Sequence, residues 1–176
     1  KTIAIVDHHR RTGELNFKPE LMYIESSASS ASELVVELFP YHKRNVVITP
    51  LDATYMYTGM LIDTNRFRVR SGNRTFQAAA ELRNYGADLG VVEDMLRDVY
   101  DTFEERNKIL NTAKRYGKNV ISAYDEDEVE RVLMSRVADE ILNVKDVEAS
   151  FVVAYVDQES VGISARSKGK VNVQAI

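Results

Sequence analysis

The stretch "VDHHRR" places an aspartate, two histidines and two arginines directly after a short apolar run. Neighbouring side chains in an extended chain point to opposite faces, so His8 and His9 cannot do the same task within one strand. Neutral imidazole binds divalent transition metals, and Asp7 or a backbone carbonyl could orient its second ring nitrogen. We expect two related tasks at one site, with His8 facing a metal ion and His9 a phosphate. The alternative is a polar surface turn.

A second candidate, Asp63, ends the apolar face of a predicted helix in "MYTGMLID". A carboxylate in such surroundings is costly unless it is paired or bound to a metal ion. The alternative is simple helix termination, with Asp-Thr-Asn forming a turn. The spacing alone leaves both interpretations open.

Two further stretches, "FRVRSGNRTF" and "ISARSKGKVN", combine arginines with hydroxyl and amide side chains. Arginine forks and the backbone N–H groups at a helix amino end suit phosphate oxygens. A solvated basic loop and an exposed edge strand are the respective alternatives. The ligand-capable side chains are Arg66, Arg70 and Thr75 in the first stretch, and Ser164, Arg166, Ser167 and Asn172 in the second.

The elements that must position these side chains alternate between strand and helix. Residues 2–6 are predicted to form a strand that is buried on both faces of a parallel sheet. Ligands of open α/β sheets bind outside the carboxyl ends of the strands, which is where the two histidines follow. The Ser30 and Glu33 pair is spaced as a capping box that starts a helix. Further helices are predicted from near Pro50 and at about 74–85, 89–99 and 102–116.

A change of composition near Gly117 indicates a second, smaller unit. The sequence of this unit predicts a strand at "NVISAY", then an acidic turn at "DEDE" that leads into a helix over 129–141. Two strands joined at "DQES" follow. In the last strand, Val161, Ile163 and Ala165 share the face expected to pack, while the face with Ser164 and Arg166 is expected to touch a ligand. The ending "VNVQAI" reads as a helix start.

Composition restricts the possible functions. The chain has 176 residues, 44% of them hydrophobic and 28% charged, with no cysteine. Thiolate metal sites, disulfides and thiol catalysis are therefore excluded, and no run approaches the ~20 apolar residues of a membrane span. A net charge of −4 without a basic block argues against binding to duplex nucleic acid. We expect a cytoplasmic domain.

Together these stretches resemble the DHH/DHHA1 phosphoesterase superfamily, and within it the GdpP-type cyclic-di-AMP phosphodiesterases. The resemblance rests, in chain order, on "IAIVDHHRR", "YIESSASSASELV", "GMLIDTNRFRVRSGNRTFQAAAELRNYGAD", "VEASFVVAY" and "VGISARSKGKVNVQAI". It implies an α/β fold in which a small DHHA1 domain closes over a substrate held by a parallel-sheet DHH domain. The implied division is the DHH domain over 1–100, a helical linker over 101–117 and the DHHA1 domain over 118–176, with both domains incomplete.

The resemblance also implies roles for individual residues. His8 and Asp63 match metal ligands of a two-metal Mn²⁺ site, His9 matches the histidine that faces the scissile phosphate, and Asp7 the acid that supports the pair. Arg166, Ser167 and Asn172 match positions of the nucleotide-binding lobe.

The expected activity is hydrolysis of cyclic di-AMP to linear 5′-pApA by the full-length protein. The alternatives are a nanoRNase (pApA phosphodiesterase) or an inorganic pyrophosphatase of the same superfamily, or a non-catalytic nucleotide- or haem-responsive sensor.

The family's remaining metal-binding motifs and its glycine-rich histidine motif do not occur in the sequence. We therefore expect an internal fragment, inactive by itself, of a homodimeric parent anchored in the cell membrane through other segments.

Overall fold

The computed structural model describes residues 2–10, 13, 16–41 and 47–175. The chain divides into two compact units, Lys1–Arg97 and Asp98–Ile176, each with its own elements of secondary structure. Strands and helices occur in both, which confirms the expected α/β class. The three-part division at residues 100 and 117 stays a prediction; the helix expected in the linker lies within the second unit.

The first unit contains a two-stranded parallel sheet of β1 (Ala4–Asp7) and β2 (Leu21–Ile24). The register runs from Ala4 opposite Leu21 to Asp7 opposite Ile24, so the carboxyl ends of both strands meet at one edge. The side chains of β1 are half-buried or exposed, and the expectation of burial on both faces was wrong. Strand β2 was not predicted, because a four-residue apolar run such as "LMYI" carries too little periodicity to identify.

Four helices complete the first unit: α1 (Ala31–Leu38), α2 (Pro50–Asp63), α3 (Asn73–Asn84) and α4 (Leu89–Met95). The hydroxyl of Ser30 accepts the Glu33 N–H at 3.1 Å, which is one half of the predicted capping box; the Glu33 carboxylate instead accepts the Ser29 hydroxyl. Helix α2 begins with a full capping box between Thr49 and Asp52 and with Pro50 in its first turn, which removes an N–H that would have no partner. Helix α4 ends at Met95, earlier than the predicted 99.

The core of the first unit lies among these helices. Small residues dominate it, which lets α1, α2 and α3 approach closely; Gly59 stands where a side-chain carbon would meet the Ser32 hydroxyl at 3.1 Å. The buried cluster consists of Val36, Ala53, Met60, Ala78, Ala79, Leu82 and Ala87.

The second unit is a four-stranded mixed sheet with helices α5 (Tyr100–Asn111) and α6 (Arg131–Leu142). Its strands are β3 (Lys114–Tyr116), β4 (Val120–Glu128), β5 (Ala149–Tyr155) and β6 (Val161–Ser167), in the spatial order β3-β4-β5-β6. Strands β4 and β5 are parallel and α6 connects them, while the other pairs are antiparallel. Within the described residues, every helix is too short or too polar to cross a membrane.

Two expectations for this unit were wrong, and a third was met by a shorter element. The predicted helix over 102–116 ends at Asn111, and the residues after it form β3. The acidic "DEDE" segment belongs to β4, because the ammonium of Lys108 contacts the Asp125 and Asp127 carboxylates at 2.7 and 2.6 Å and offsets their charge. At "VNVQAI", where a helix start was expected, the chain forms a short 3₁₀ helix over Val173–Ala175. Ile176 lies outside the described residues.

The two faces of β6 are the reverse of the prediction. Gly162 and Ser164 are buried, whereas Val161 and Ile163 are 55% and 63% exposed. The reason is steric, since a side-chain carbon at Gly162 would lie 2.5 Å from a methyl carbon of Val156 and 3.5 Å from Met134 of α6. The smallest residue of the strand is therefore required on the side that α6 covers.

We predict that Gly162→Ala lowers the free energy of unfolding of the second unit by about 1–3 kcal/mol, the usual cost of overpacking a core. Ile163→Ala, on the exposed face of the same strand, is expected to cost about 0.5 kcal/mol or less, as at other surface positions. Urea unfolding followed by circular dichroism measures both. Equal losses in the two variants would contradict the assignment of the faces.

Candidate active site

The carboxyl ends of β1 and β2 carry three of the side chains singled out from the sequence, Asp7, His8 and His9, together with Glu25. Asp7 is the last residue of β1, and His8 and His9 follow it. Glu25 follows β2, and its N–H donates to the Asp7 carbonyl at 3.0 Å. Because the strands are parallel, the two chain segments leave the sheet at the same edge, where α/β proteins bind ligands.

His8 and Asp63 come together although they are 55 positions apart in the chain. The Nε2 atom of His8 lies 3.5 Å from Oδ2 of Asp63, and the His8 side chain is only 6% exposed. Asp63 is the last residue of α2, where the negative end of the helix dipole disfavours a carboxylate. A cation between these two groups would relieve that unfavourable charge.

The donor set of this pair suits a divalent transition metal ion, since an imidazole nitrogen and a carboxylate oxygen are both common ligands. The buried Nδ1 atom of His8 has no hydrogen-bond partner within the described residues. The sequence left Asp7 or a carbonyl as its possible acceptor, but Asp7 is used by His9 instead. In the described part of the chain, no group of three or more His, Asp and Glu side chains is arranged to hold a metal ion.

His9 is fixed by Asp7 at its ring and at its backbone. The Nδ1–H of the ring and the His9 N–H both donate to Oδ1 of Asp7, at 2.8 and 3.1 Å. These two hydrogen bonds hold the pKa of the Asp7 carboxyl below its ordinary value. Since Nδ1 is the donor, Nε2 is the ring nitrogen left for a ligand, on a side chain that is 74% exposed. The rings of His8 and His9 are 4.3 Å apart between centroids.

The loop after Asp63 has an unusual backbone. Asn65, Arg66 and Phe67 have φ angles of 46°, 57° and 61°, so three consecutive non-glycine residues are left-handed. Each costs roughly 1–2 kcal/mol, and such strain concentrates at functional sites. The buried Thr64 stabilises the turn, because its hydroxyl donates to the Met60 carbonyl at 2.6 Å and accepts the Phe67 N–H at 3.0 Å.

The predicted anion-binding residues of this loop have different surroundings. One guanidinium nitrogen of Arg66 contacts both carboxylate oxygens of Glu93 on α4, at 2.8 and 3.0 Å. Arg70 has a left-handed backbone, with φ 55°. Thr75 is buried in the first turn of α3, where its hydroxyl accepts the Gly72 N–H at 3.1 Å. Their roles in binding substrate stay predictions. Arg11, the last residue of the "VDHHRR" stretch, lies outside the described residues.

In the second unit, Arg166 and Ser164 line a pocket of about 340 Å³ between β6 and α6. The Nε–H of Arg166 donates to Asp139 at 2.7 Å, and Ser164 lies 3.3 Å from the Ser135 hydroxyl. The structure does not place Ser167 and Asn172 in that lining: each accepts a backbone N–H two residues later, from Gly169 and Gln174. These four roles also stay predictions.

A charged cluster around Arg74 was not predicted from the sequence. Its guanidinium donates twice to Glu25, at 2.5 and 3.1 Å, and twice to Glu37, at 2.7 Å each. Glu33, only 2% exposed, lies 3.8 Å away and accepts the Ser29 hydroxyl at 2.5 Å. One signal was available, since Glu33 and Glu37 are four residues apart on one helix face.

Comparison with known proteins finds relatives that are named as phosphodiesterases and phosphatases. No protein-family model matches it. It is 42% identical over 178 residues to the cyclic-di-AMP phosphodiesterase GdpP of Bacillus subtilis (strain 168), an alignment covering 99% of the chain and 27% of that relative. It is 27% identical over 181 residues to the bifunctional oligoribonuclease and PAP phosphatase NrnA of Mycoplasma genitalium, covering 94% of the chain and 55% of that protein.

A solved structure shares the fold. The exopolyphosphatase-related protein from Bacteroides fragilis superposes with a TM-score of 0.79 and 23% identity, covering 94% of the chain and 50% of that structure. The chain thus spans about a quarter of the length of the first relative and half of the solved structure.

The Arg74 cluster predicts a dependence of stability on pH. The Arg74 and Ser27 hydrogen bonds lower the pKa of Glu25 from 4.5 to about 2. A depressed pKa in the folded state stabilises the protein above the unfolded value, and this contribution is lost as the pH falls from about 4.5 toward 2. We expect Glu25→Gln to reduce stability at pH 7 and to have a smaller effect at pH 3, by urea unfolding. A difference that is constant across this range would contradict the assignment.

Proposed function

We propose that this chain, which belongs to the DHH phosphoesterase superfamily, carries catalytic-site residues of a metal-dependent phosphodiesterase that hydrolyses cyclic di-AMP to linear 5′-pApA. The observation that carries the proposal is the approach of His8 Nε2 to Asp63 Oδ2 at 3.5 Å, beside a His9 ring that Asp7 holds. The relative named as a cyclic-di-AMP phosphodiesterase supports the choice of substrate.

In this proposal His8 and Asp63 hold a divalent metal ion, for which we propose Mn²⁺. When bound, such an ion polarises a phosphoryl oxygen and makes a water molecule a better nucleophile. Hydrolysis adds a water molecule to phosphorus and breaks the bond to the 3′ oxygen, which leaves with a proton from that water. The chain's own residues supply the geometry of the reaction.

His9 contributes a fixed ring orientation to the phosphate. The Nδ1–H bond to Asp7 selects the tautomer in which Nε2 is free to face a ligand. Asp7 therefore acts through His9, as the resemblance implies. In the second unit, Asp139 holds Arg166 in the orientation that we propose for binding nucleotide phosphate.

A second candidate is turnover of short oligoribonucleotides such as pApA. The relative named as an oligoribonuclease and PAP phosphatase supports it. Assays of the full-length protein with Mn²⁺ and either cyclic di-AMP or pApA separate the two candidates by their values of kcat/KM. Binding of either nucleotide without any turnover would favour a non-catalytic sensor.

Two expectations concern the full-length protein. We propose that it is a homodimer, which light scattering after size-exclusion chromatography tests. We also propose that it is attached to the membrane through other segments, which extraction of membranes at high pH tests.

We predict that His8→Ala in the full-length protein lowers kcat by at least ~100-fold, because loss of a ligand exceeds the ~10–100-fold effects of residues that only support ligands. The melting temperature is expected to change little, since the ring serves the metal ion and not the apolar core. Activity and Mn²⁺ titrations measure the effect. Wild-type turnover under saturating Mn²⁺ would remove His8 from the site.

For Arg166→Ala we expect KM to rise more than kcat falls, because the arginine positions substrate in ground state and transition state alike. A suitable control is Arg136→Ala, another arginine of the second unit, whose guanidinium contacts Asp98 at 3.2 Å. Steady-state kinetics with cyclic di-AMP measure both variants. An unchanged KM in Arg166→Ala would exclude this residue from substrate binding.

A further inference from the structure

Arg74 connects three segments of the first unit. It lies in the first turn of α3, and its two carboxylate partners lie after β2 and on α1. Each partner accepts two hydrogen bonds, so four donor contacts of one guanidinium are occupied. Contacts of this kind fix orientation as well as distance, because the guanidinium is planar and rigid.

One of these connections reaches the candidate site. The carboxylate of Glu25 is held by Arg74, while its backbone N–H holds the Asp7 carbonyl at 3.0 Å. Asp7 in turn fixes the ring of His9 and directly precedes His8. The position of Glu25 therefore constrains the turn that carries both histidines.

The other connection reaches the segment that follows Asp63. The strained loop follows Asp63 and ends at Gly72, whose N–H donates to the hydroxyl of Thr75, the residue after Arg74. Arg74 thus ties the end of this loop to the end of β2. The two segments that it joins adjoin those that carry His8 and Asp63, whose Nε2 and Oδ2 atoms lie 3.5 Å apart.

We propose that Arg74 is a positioning residue: through Glu25 it sets the geometry of the histidine turn relative to Asp63, and thereby the affinity of the site for a divalent metal ion. This inference rests on the proposed function, since it concerns the same metal site. It assigns to Arg74 no contact with substrate.

The chain provides a matched control. Glu25 and Glu37 each accept two hydrogen bonds from Arg74 and are 31% and 30% exposed, so Glu→Gln weakens the contact with Arg74 at either position. Glu25 also accepts the Tyr23 and Ser27 hydroxyls, which an amide oxygen at that position can still accept. Only Glu25 is bonded to Asp7, whereas Glu37 lies on α1. A purely structural network would respond equally to both substitutions.

The experiment compares Glu25→Gln, Glu37→Gln, Arg74→Gln and Arg74→Lys in the full-length protein. Mn²⁺ affinity is measured by electron paramagnetic resonance of free Mn²⁺, and melting temperature separately. We expect Glu25→Gln and Arg74→Gln to weaken Mn²⁺ binding about 10-fold or more, in the range known for residues that support metal ligands. Glu37→Gln is expected to weaken Mn²⁺ binding by less than about 3-fold, although it should lower the melting temperature about as much as Glu25→Gln does. Arg74→Lys keeps the charge and should recover part of the affinity.

A second measurement does not depend on the metal ion. The imidazole proton and carbon resonances of His8 and His9 in metal-free protein should shift in Glu25→Gln and stay unchanged in Glu37→Gln. Equal effects of the two variants on Mn²⁺ affinity, with unchanged histidine resonances in both, would overturn the positioning role alone. Absence of Mn²⁺ binding by the wild-type protein would overturn the proposed function together with this inference.

Discussion

The approach of an imidazole to a carboxylate at the ends of two different elements is the constraint on which the first unit depends. His8 leaves the carboxyl end of β1, and Asp63 ends α2. To bring Nε2 and Oδ2 within 3.5 Å, the helix must begin and end at defined positions relative to the strand. The capping box at Thr49 and the proline after it define the beginning, and the left-handed turn at Asn65–Phe67 defines the end.

These features are unfavourable when each is taken alone. A carboxylate at a helix carboxyl end, three left-handed non-glycine residues and a buried histidine nitrogen without a described partner all reduce stability. The rest of the unit compensates through a tightly packed core of small residues and the Arg74 cluster. Unfavourable local geometry that the surroundings enforce is typical of functional sites, whose side chains are held ready for a ligand.

The sequence predicted local features well and long-range ones poorly. The Ser30 cap and the start of α2 at Pro50 follow from residues three or fewer positions apart. The Arg74 contacts join residues 37 and 49 positions apart, so no local pattern reveals them. The prediction for the acidic end of β4 was wrong for the same reason. The charge of Asp125 and Asp127 is offset by Lys108, which lies 17 and 19 positions away in the chain.

Two of the arginines predicted to bind substrate are already held by carboxylates, Arg66 by Glu93 and Arg166 by Asp139. In Arg66 a single nitrogen makes both contacts with Glu93. In Arg166 the contact with Asp139 uses Nε, and one terminal nitrogen donates to the Ala165 carbonyl at 3.1 Å. Neither carboxylate therefore accepts from the whole fork. A carboxylate that accepts from part of a guanidinium restricts the rotamers of that arginine before a ligand arrives, and this lowers the entropic cost of binding. The remaining N–H donors of the guanidinium are still available for phosphate oxygens. Carboxylates beside predicted anion-binding arginines are thus compatible with anion binding, because they contribute orientation.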